Sequence, residues 1–307
     1  MSFWGSNQNR KTIKNRAHDF SVAMVWQLPT GKLCLNEKTY LMGVINLTPD
    51  SFSDGGRYQD PTNALNRAQA MISEGVDIID LGAESTRPGS APISVDEECS
   101  RLLPALKIIR EQLTLPISID TYKSGVASEA LKLGADIIND ISGLDFDPNL
   151  APTIAEFRAG CVFMHIKGTP KDMQQDPSYE NLWDEIVGYL NKSLARASKA
   201  GIKSECIAVD PGIGFGKRLE DNYKIIRELS ALKVLGRPIV VGPSRKSFIG
   251  LTLNLPVGER QEGSLAAAVL AITNGANILR VHDIRATRRA ATLTEAILKG
   301  TRNTECS

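Results

Sequence analysis

Eight times along this chain of 307 residues a short apolar run ends, almost every time in a polar side chain, passes through a loop and gives way to a helical pattern. The runs lie at 40–45, 78–81, 117–120, 136–138, 161–164, 207–209, 239–241 and 278–279. Nearly continuous apolar runs of this length read as strands buried on both faces, which is the habit of a parallel sheet covered by helices. Strands that alternate with helices require parallel pairing and right-handed crossovers. Eight regular units of roughly 30 residues match a single (β/α)8 TIM barrel. A doubly wound open sheet is the rival, because a sequence does not show whether the sheet closes.

The remaining segments fit around that plan. Pro29-Thr30-Gly31 separates two short apolar stretches, so a small hairpin is expected ahead of the barrel. Asp60-Pro61 supplies an N-cap and a proline for the first helical position, with Leu65, Ala68 and Ile72 expected on the core face. Ser94 with Glu97 forms a capping-box pattern. Leu265, Val269 and Ile272 are expected to face the core from the helix of the seventh unit. The expected organisation is a polar, mobile tail over 1–24, one barrel with its hairpin over 25–300, and a short tail over 301–307.

Composition narrows the function. A formal net charge of +1 gives no footprint for nucleic acid or for a membrane surface. No apolar run approaches the roughly 18 residues of a membrane helix, and the basic start of the chain lacks the apolar stretch of a secretory signal. Five cysteines, an odd number without metal-like spacing, suit a reducing, cytoplasmic setting, with Cys161 and Cys206 as small buried hydrophobes.

In a barrel the carboxyl ends of the strands share one face, where active sites sit. Asn46, Thr86, Arg87, Asp120, Asn139, His165, Asp210, Lys246, Arg280 and His282 should therefore converge. Asp120, Asn139 and Asp210 offer acceptors that suit a flat heterocycle bearing several N–H groups. Arg87, Lys246, Arg280 and His282 suit an anion, of which phosphate is the natural candidate. Asp210 and Asp120 could each instead be a helix cap, Asn139 a turn former, and Phe215 a core residue in a glycine-rich loop. His165 divides evenly between lining the site and packing.

Four long motifs then stand in register: 43–56 (GVINLTPDSFSDGG), 84–89 (ESTRPG), 210–217 (DPGIGFGK) and 244–250 (SRKSFIG). Together they resemble the signatures of the dihydropteroate synthase family, and the resemblance runs from about 40 to 300. It implies a transferase of folate biosynthesis, the target of sulfonamides. Such an enzyme joins 4-aminobenzoate to (7,8-dihydropterin-6-yl)methyl diphosphate with Mg2+, releasing diphosphate and 7,8-dihydropteroate. By matching motif positions, Asn46 would help hold Mg2+, and Asp120, Asn139, Asp210 and Lys246 would bind the pterin. Thr86, Arg280 and His282 would serve the diphosphate end. Arg87, Pro88, Phe215, Lys246 and Ser247 would frame the aminobenzoate. Arg87, Lys246, Arg280 and His282 are the residues expected to carry catalysis. The resemblance also implies a homodimer formed through helices on the far side of the barrel. Its departures are slight: Ala83 stands where the family often has glycine, and Ile166-Lys167 precedes Gly168-Thr169-Pro170. A pterin-binding barrel of a folate-dependent methyltransferase is the nearest rival.

Overall fold

The computed structural model describes residues 24–48 and 61–300. The expected tails at 1–24 (but for Met24) and 301–307, the loop half of the first motif and the Asp60 cap lie outside the described residues.

The barrel strands are β3 (Tyr40–Asn46), β4 (Ile78–Gly82), β5 (Ile117–Asp120), β6 (Ile137–Asp140), β7 (Gly160–Met164), β8 (Ile207–Asp210), β9 (Val240–Val241) and β10 (Ile278–Val281). All their pairings are parallel, in the order β8-β7-β6-β5-β4-β3-β10-β9. One parallel bridge, Val209 to Ile239, joins the two ends. The sheet is therefore closed, and the open-sheet rival falls.

Helices follow the strands: α1 (Pro61–Ser73), α2 (Val95–Gln112), α3 (Ser124–Lys132), α4 (Leu150–Phe157), α5 (Leu182–Lys199), α6 (Leu219–Arg227), α7 (Ser247–Leu253), α8 (Gln261–Thr273) and α9 (Ile284–Lys299). Ser94 caps α2, its Oγ accepting the Glu97 N–H at 3.1 Å. Two helix faces differ from expectation. On α1 the buried residue is Met71, and Ile72 is exposed, because the face through Ala64, Leu65 and Ala68 continues at Met71. On α8 the core face is Ser264, Ala267, Ala268, Ala271 and Ile272, so Ile272 stands as expected while Leu265 and Val269 are only half-buried. Its small side chains hide the helical period that a reader of the larger residues would follow.

Side-chain alternation splits the core in two. Leu41, Ile45, Ile79, Leu81, Ile119 and Phe163 pack outward against the helices. Met42, Ile78, Ile137, Val162, Ala208, Val240 and Ile278 form a separate cluster within the barrel. The hairpin β1 (Val25–Leu28) and β2 (Gly31–Cys34) belongs to this second cluster. Trp26 and Leu28 are buried in it, and Trp26 Nε1 donates to the Cys206 carbonyl at 2.9 Å. The hairpin is a plug in the amino end of the barrel. Gly160 is where it fits tightest, since a Cβ there would overlap Leu28.

Candidate active site

Two residues beyond the apolar cluster, the same alternation turns Asp80, Asn139, Asp210 and Arg280 inward. Apolar side chains close the base of the barrel, and charged ones occupy the layer above. Arg280 is the hub. Its Nε donates to Asp80 Oδ2 at 2.7 Å and its Nη2 to Asp120 Oδ2 at 2.6 Å. Burial works against the charge on Arg280, but the two carboxylates beside it outweigh burial and raise its pKa. Burial in turn pushes Asp120 up, opposed by Arg280 and assisted by Asp80. The acceptor half and the cationic half of the inventory are thus joined by ion pairs in the free protein. Asp80 was not among the expected site residues. Its signal was a carboxylate inside an otherwise apolar strand, at inward parity.

Across the mouth, Asp210 ends β8 and is buried. Its Oδ1 accepts the Gly212 N–H at 2.7 Å, which folds the chain sharply back. It caps no helix. Gly212 has φ +72°, and a Cβ there would overlap the His165 carbonyl, so the turn needs glycine. Burial raises the Asp210 pKa to about 6, against that N–H and the charge of Lys246. Burial and Arg280 lower Lys246 to about 8, while Asp210 and Asp120 hold it up. The Lys246 ammonium lies 4.2 Å from the centre of the Phe215 ring, a cation–π contact. Phe215 is buried against Ile141, Met164, Ile166 and Met173. It is both wall and core.

His165 is packed, and it also lines a cavity after β7 with Phe146, Ile166 and Tyr189. It is buried, and Lys217 Nζ lies 2.9 Å from its Nδ1 while also donating to the Phe215 carbonyl at 2.9 Å. Burial and the Lys217 charge press His165 down to about 2, so it is neutral. Lys217, itself lowered to about 7 by burial, fixes the glycine-rich loop to the end of β7.

At the third side of the mouth, His282 pairs through Nδ1 with Ser244 Oγ at 3.0 Å. Burial and the charges of Arg280 and Arg245 lower it to about 4. Neutral His282 is a hydrogen-bonding group here rather than a fixed cation. Arg245 turns away, its guanidinium on Asp283. Ser247 opens α7, as the sequence implies, and is exposed. Asn46 ends β3 in register with Gly82. Measured from where a Cβ on Gly82 would stand, Asn46 Oδ1 lies 3.9 Å away and Asp120 Oδ2 3.6 Å. Thr86 is half-buried, and Arg87 and Pro88 are exposed on the loop after β4. That loop is stapled at its base. Glu84 accepts from Tyr122 Oη at 2.8 Å, from Lys123 Nζ and from the Ile93 N–H at 2.9 Å. Lys123 also donates to buried Glu98 at 2.6 Å. Gly89 N–H reaches the Pro170 carbonyl at 2.9 Å, joining this loop to the one after β7.

Comparison with known proteins gives this mouth a lineage. Residues 42–282 match the pterin binding enzyme family. The chain is 45% identical over 266 residues to dihydropteroate synthase of Clostridium beijerinckii, covering 86% of this chain and 96% of that one. The chain belongs to the dihydropteroate synthase family. Against the Yersinia pestis dihydropteroate synthase structure with a sulfonamide drug complex, the TM-score is 0.86 at 39% identity, covering 90% of this chain and all of that one. A Thermus thermophilus dihydropteroate synthase in complex with 4-aminobenzoate gives a TM-score of 0.80 at 40% identity, over 89% and 99% of the two chains. As a dihydropteroate synthase family member the protein is a transferase, and the methyltransferase reading lapses. The fold of the family places Asp120, Asp210, Lys246 and Arg280 around one mouth. Among the described residues no hydrogen bond or ion pair joins Arg87 to these four, and its side chain stands exposed on the loop after β4.

Proposed function

We propose that this chain condenses 4-aminobenzoate with (7,8-dihydropterin-6-yl)methyl diphosphate, giving 7,8-dihydropteroate and diphosphate. The observation that carries the proposal is the meeting of Asp120, Asp210, Lys246 and Arg280 at one barrel mouth, beside Phe215. Buried Asp210 accepts a pair of N–H groups from the amino-pyrimidine edge of the pterin, with Asn139 and Asp120 completing the ring's hydrogen bonds. Lys246 donates to the heterocycle from the other side and, with Phe215, Pro88 and Ser247, bounds the aminobenzoate. Arg280, His282 and Thr86 face the diphosphate, and Arg87 closes from its loop. Sulfonamides would occupy the aminobenzoate position.

The reaction needs no strong base, because an aromatic amine is unprotonated at neutral pH. The carbon–oxygen bond between methylene and diphosphate breaks with electron donation from the reduced pterin. Both electrons leave with the diphosphate, whose charge the N–H groups of Arg280 and His282 stabilise. The amine nitrogen then bonds to the methylene and releases its proton to water.

The residues present suit Mg2+. Among the described residues no three His, Cys, Asp or Glu side chains cluster to cage a metal. Asn46 offers one hard oxygen at the strand end, which fits an ion held chiefly by substrate phosphate oxygens and water. When bound, Mg2+ supplies charge for the leaving diphosphate.

The protein works, on this reading, as a cytoplasmic homodimer with residues 25–300 as its functional unit. No helix among the described residues is long and apolar enough to cross a membrane. The assay mixes the protein with Mg2+ and both substrates and follows 7,8-dihydropteroate. Formation of product in proportion to enzyme is expected, and its absence refutes the proposal. Asn46→Ala should raise the half-saturating Mg2+ concentration about tenfold or more, since even the loss of an outer partner of a metal ligand costs roughly that much.

A further inference from the structure

The layer below the mouth holds a carboxylate that no substrate can reach. Asp80 is completely buried, two residues short of the end of β4, under the Arg280 guanidinium. We infer that Asp80 is a positioning residue: it is the permanent counter-ion of Arg280, and it keeps that guanidinium in place when Asp120 turns from Arg280 to the pterin. The inference rests on the function proposed above and deepens it.

Three features of the geometry support it. First, Arg280 is shared unequally. Asp80 Oδ2 receives Nε at 2.7 Å and lies 2.7 Å from Nη2, whereas Asp120 holds Nη2 alone at 2.6 Å. The bond to Asp120 can break without freeing the side chain. Second, the residue above Asp80 on the same face is Gly82. A Cβ there would stand in ordinary contact with Asp120, 3.4 Å from its Cβ and 3.6 Å from its Oδ2, so Gly82 leaves that side of Asp120 uncovered. Third, Asp80 Oδ1 is buried without a hydrogen-bond partner. A carboxylate retained only for packing would be a poor choice there, since apolar residues of similar volume are often as stable or more so. An unmatched buried oxygen is better understood as the cost of placing a charge.

The consequence concerns competition. Under the proposed function Asp120 must accept an N–H from the pterin while Arg280 meets the diphosphate. With Asp120 as its sole counter-ion, Arg280 would form an isolated neutral pair, and substrate would have to break it. With Asp80 below, the guanidinium stays neutralised and oriented, and its remaining N–H groups point to the departing charge.

The test uses the full chain. Asp80→Asn should raise the Kd of inorganic diphosphate, measured by calorimetry with Mg2+, about tenfold. It should lower kcat/KM for the pterin diphosphate by a larger factor, and leave KM for 4-aminobenzoate within twofold. Asp80→Glu, which keeps the charge, should recover part of the loss. In an Arg280→Lys background, Asp80→Asn should add little, because both changes act on one interaction. Equal losses for both substrates, additive losses in the double variant, or unchanged diphosphate binding would each overturn the role. If Asp80→Asn does not fold, Asp80→Glu is compared with wild type, and an unchanged diphosphate Kd overturns it there. Diphosphate binding needs no turnover. A wild-type protein that makes no dihydropteroate therefore refutes the function without deciding the role of Asp80.

Discussion

Burial at the mouth sets protonation states that ordinary side chains would not have, and these give the sharpest expectations. Lys246 is lowered to about 8, so its ammonium is lost as pH rises through that value. If Lys246 must be charged to bind the pterin, kcat/KM for the pterin diphosphate falls above about pH 8. Lys246→Arg, whose guanidinium does not titrate, should move that alkaline limb upward even if it lowers the maximum; a pH–rate profile of both proteins decides it. Asp210 runs the other way. Its folded pKa of about 6 lies above the ordinary 3.8, so the native state holds a proton that the unfolded chain has released. The stability this contributes is full below pH 4 and is lost as pH rises through about 6. Asp210→Asn keeps the acceptor for Gly212 but never ionises. It should therefore be more stable than wild type at pH 7.5, on the order of 1–3 kcal/mol, and equal or less stable near pH 4. The same variant should lose nearly all activity, a trade of stability for function. Urea unfolding at the two pH values measures the first effect. At this scale the sequence spoke clearly wherever a polar residue ended an apolar run, as at Asp120, Asp210 and Arg280. It was nearly silent about Asp80, which sits inside a run and acts through a partner 200 positions away.

The elements were legible for a physical reason: strands buried on both faces have no choice but to be apolar, so all eight announced themselves. Closure did not. It depends on one parallel bridge from Val209 to Ile239, beside a two-residue strand, and no local pattern encodes a pairing between them. Helix faces were legible where the buried residues are large, as at Leu65 on α1 and Ile272 on α8, and were lost over the rest of α8, whose core face is alanine and serine. The hairpin could be read as a hairpin, yet its task as the barrel's plug appears only in three dimensions. That task is testable. Trp26→Ala removes the largest wholly buried side chain and its bond to the Cys206 carbonyl. A loss of about 3–5 kcal/mol is expected for deleting a buried Trp side chain. Because the plug lies at the amino end and the mouth at the carboxyl end, kcat of the folded fraction should stay within twofold. A matching drop in kcat at temperatures where the variant is fully folded would show that base and mouth are not independent.

The whole molecule shows one more asymmetry, on its outer surface. Helices α7, α8 and α9 lie side by side, and together they expose Leu251, Leu253, Leu270, Leu293, Ile297 and Leu298. Ile297 and Leu251 are about two-thirds exposed, at 70% and 69%. Among the described residues the other exposed large hydrophobics, such as Val95, Leu133 and Val234, lie on other elements. Scattered apolar residues are normal, but a contiguous face on adjacent helices marks an interaction surface. A second copy of the chain is the simplest partner, since a two-fold axis lets one patch cover itself. Sedimentation should then give twice the 33.4 kDa of the chain. Leu293 and Ile297 share a face of α9 four residues apart, both outside the core cluster. Changing both to glutamate would place two charges from each subunit in the contact and should yield a monomer. Asp120, Asn139, Asp210 and Arg280 sit on strands of one barrel, away from the helices that carry the patch. The monomer should therefore keep kcat within severalfold while losing thermal stability, because the exposed patch no longer gains from association. A double variant that still sediments as a dimer would move the interface elsewhere. A monomer without activity would mean that the two barrels share more than a surface.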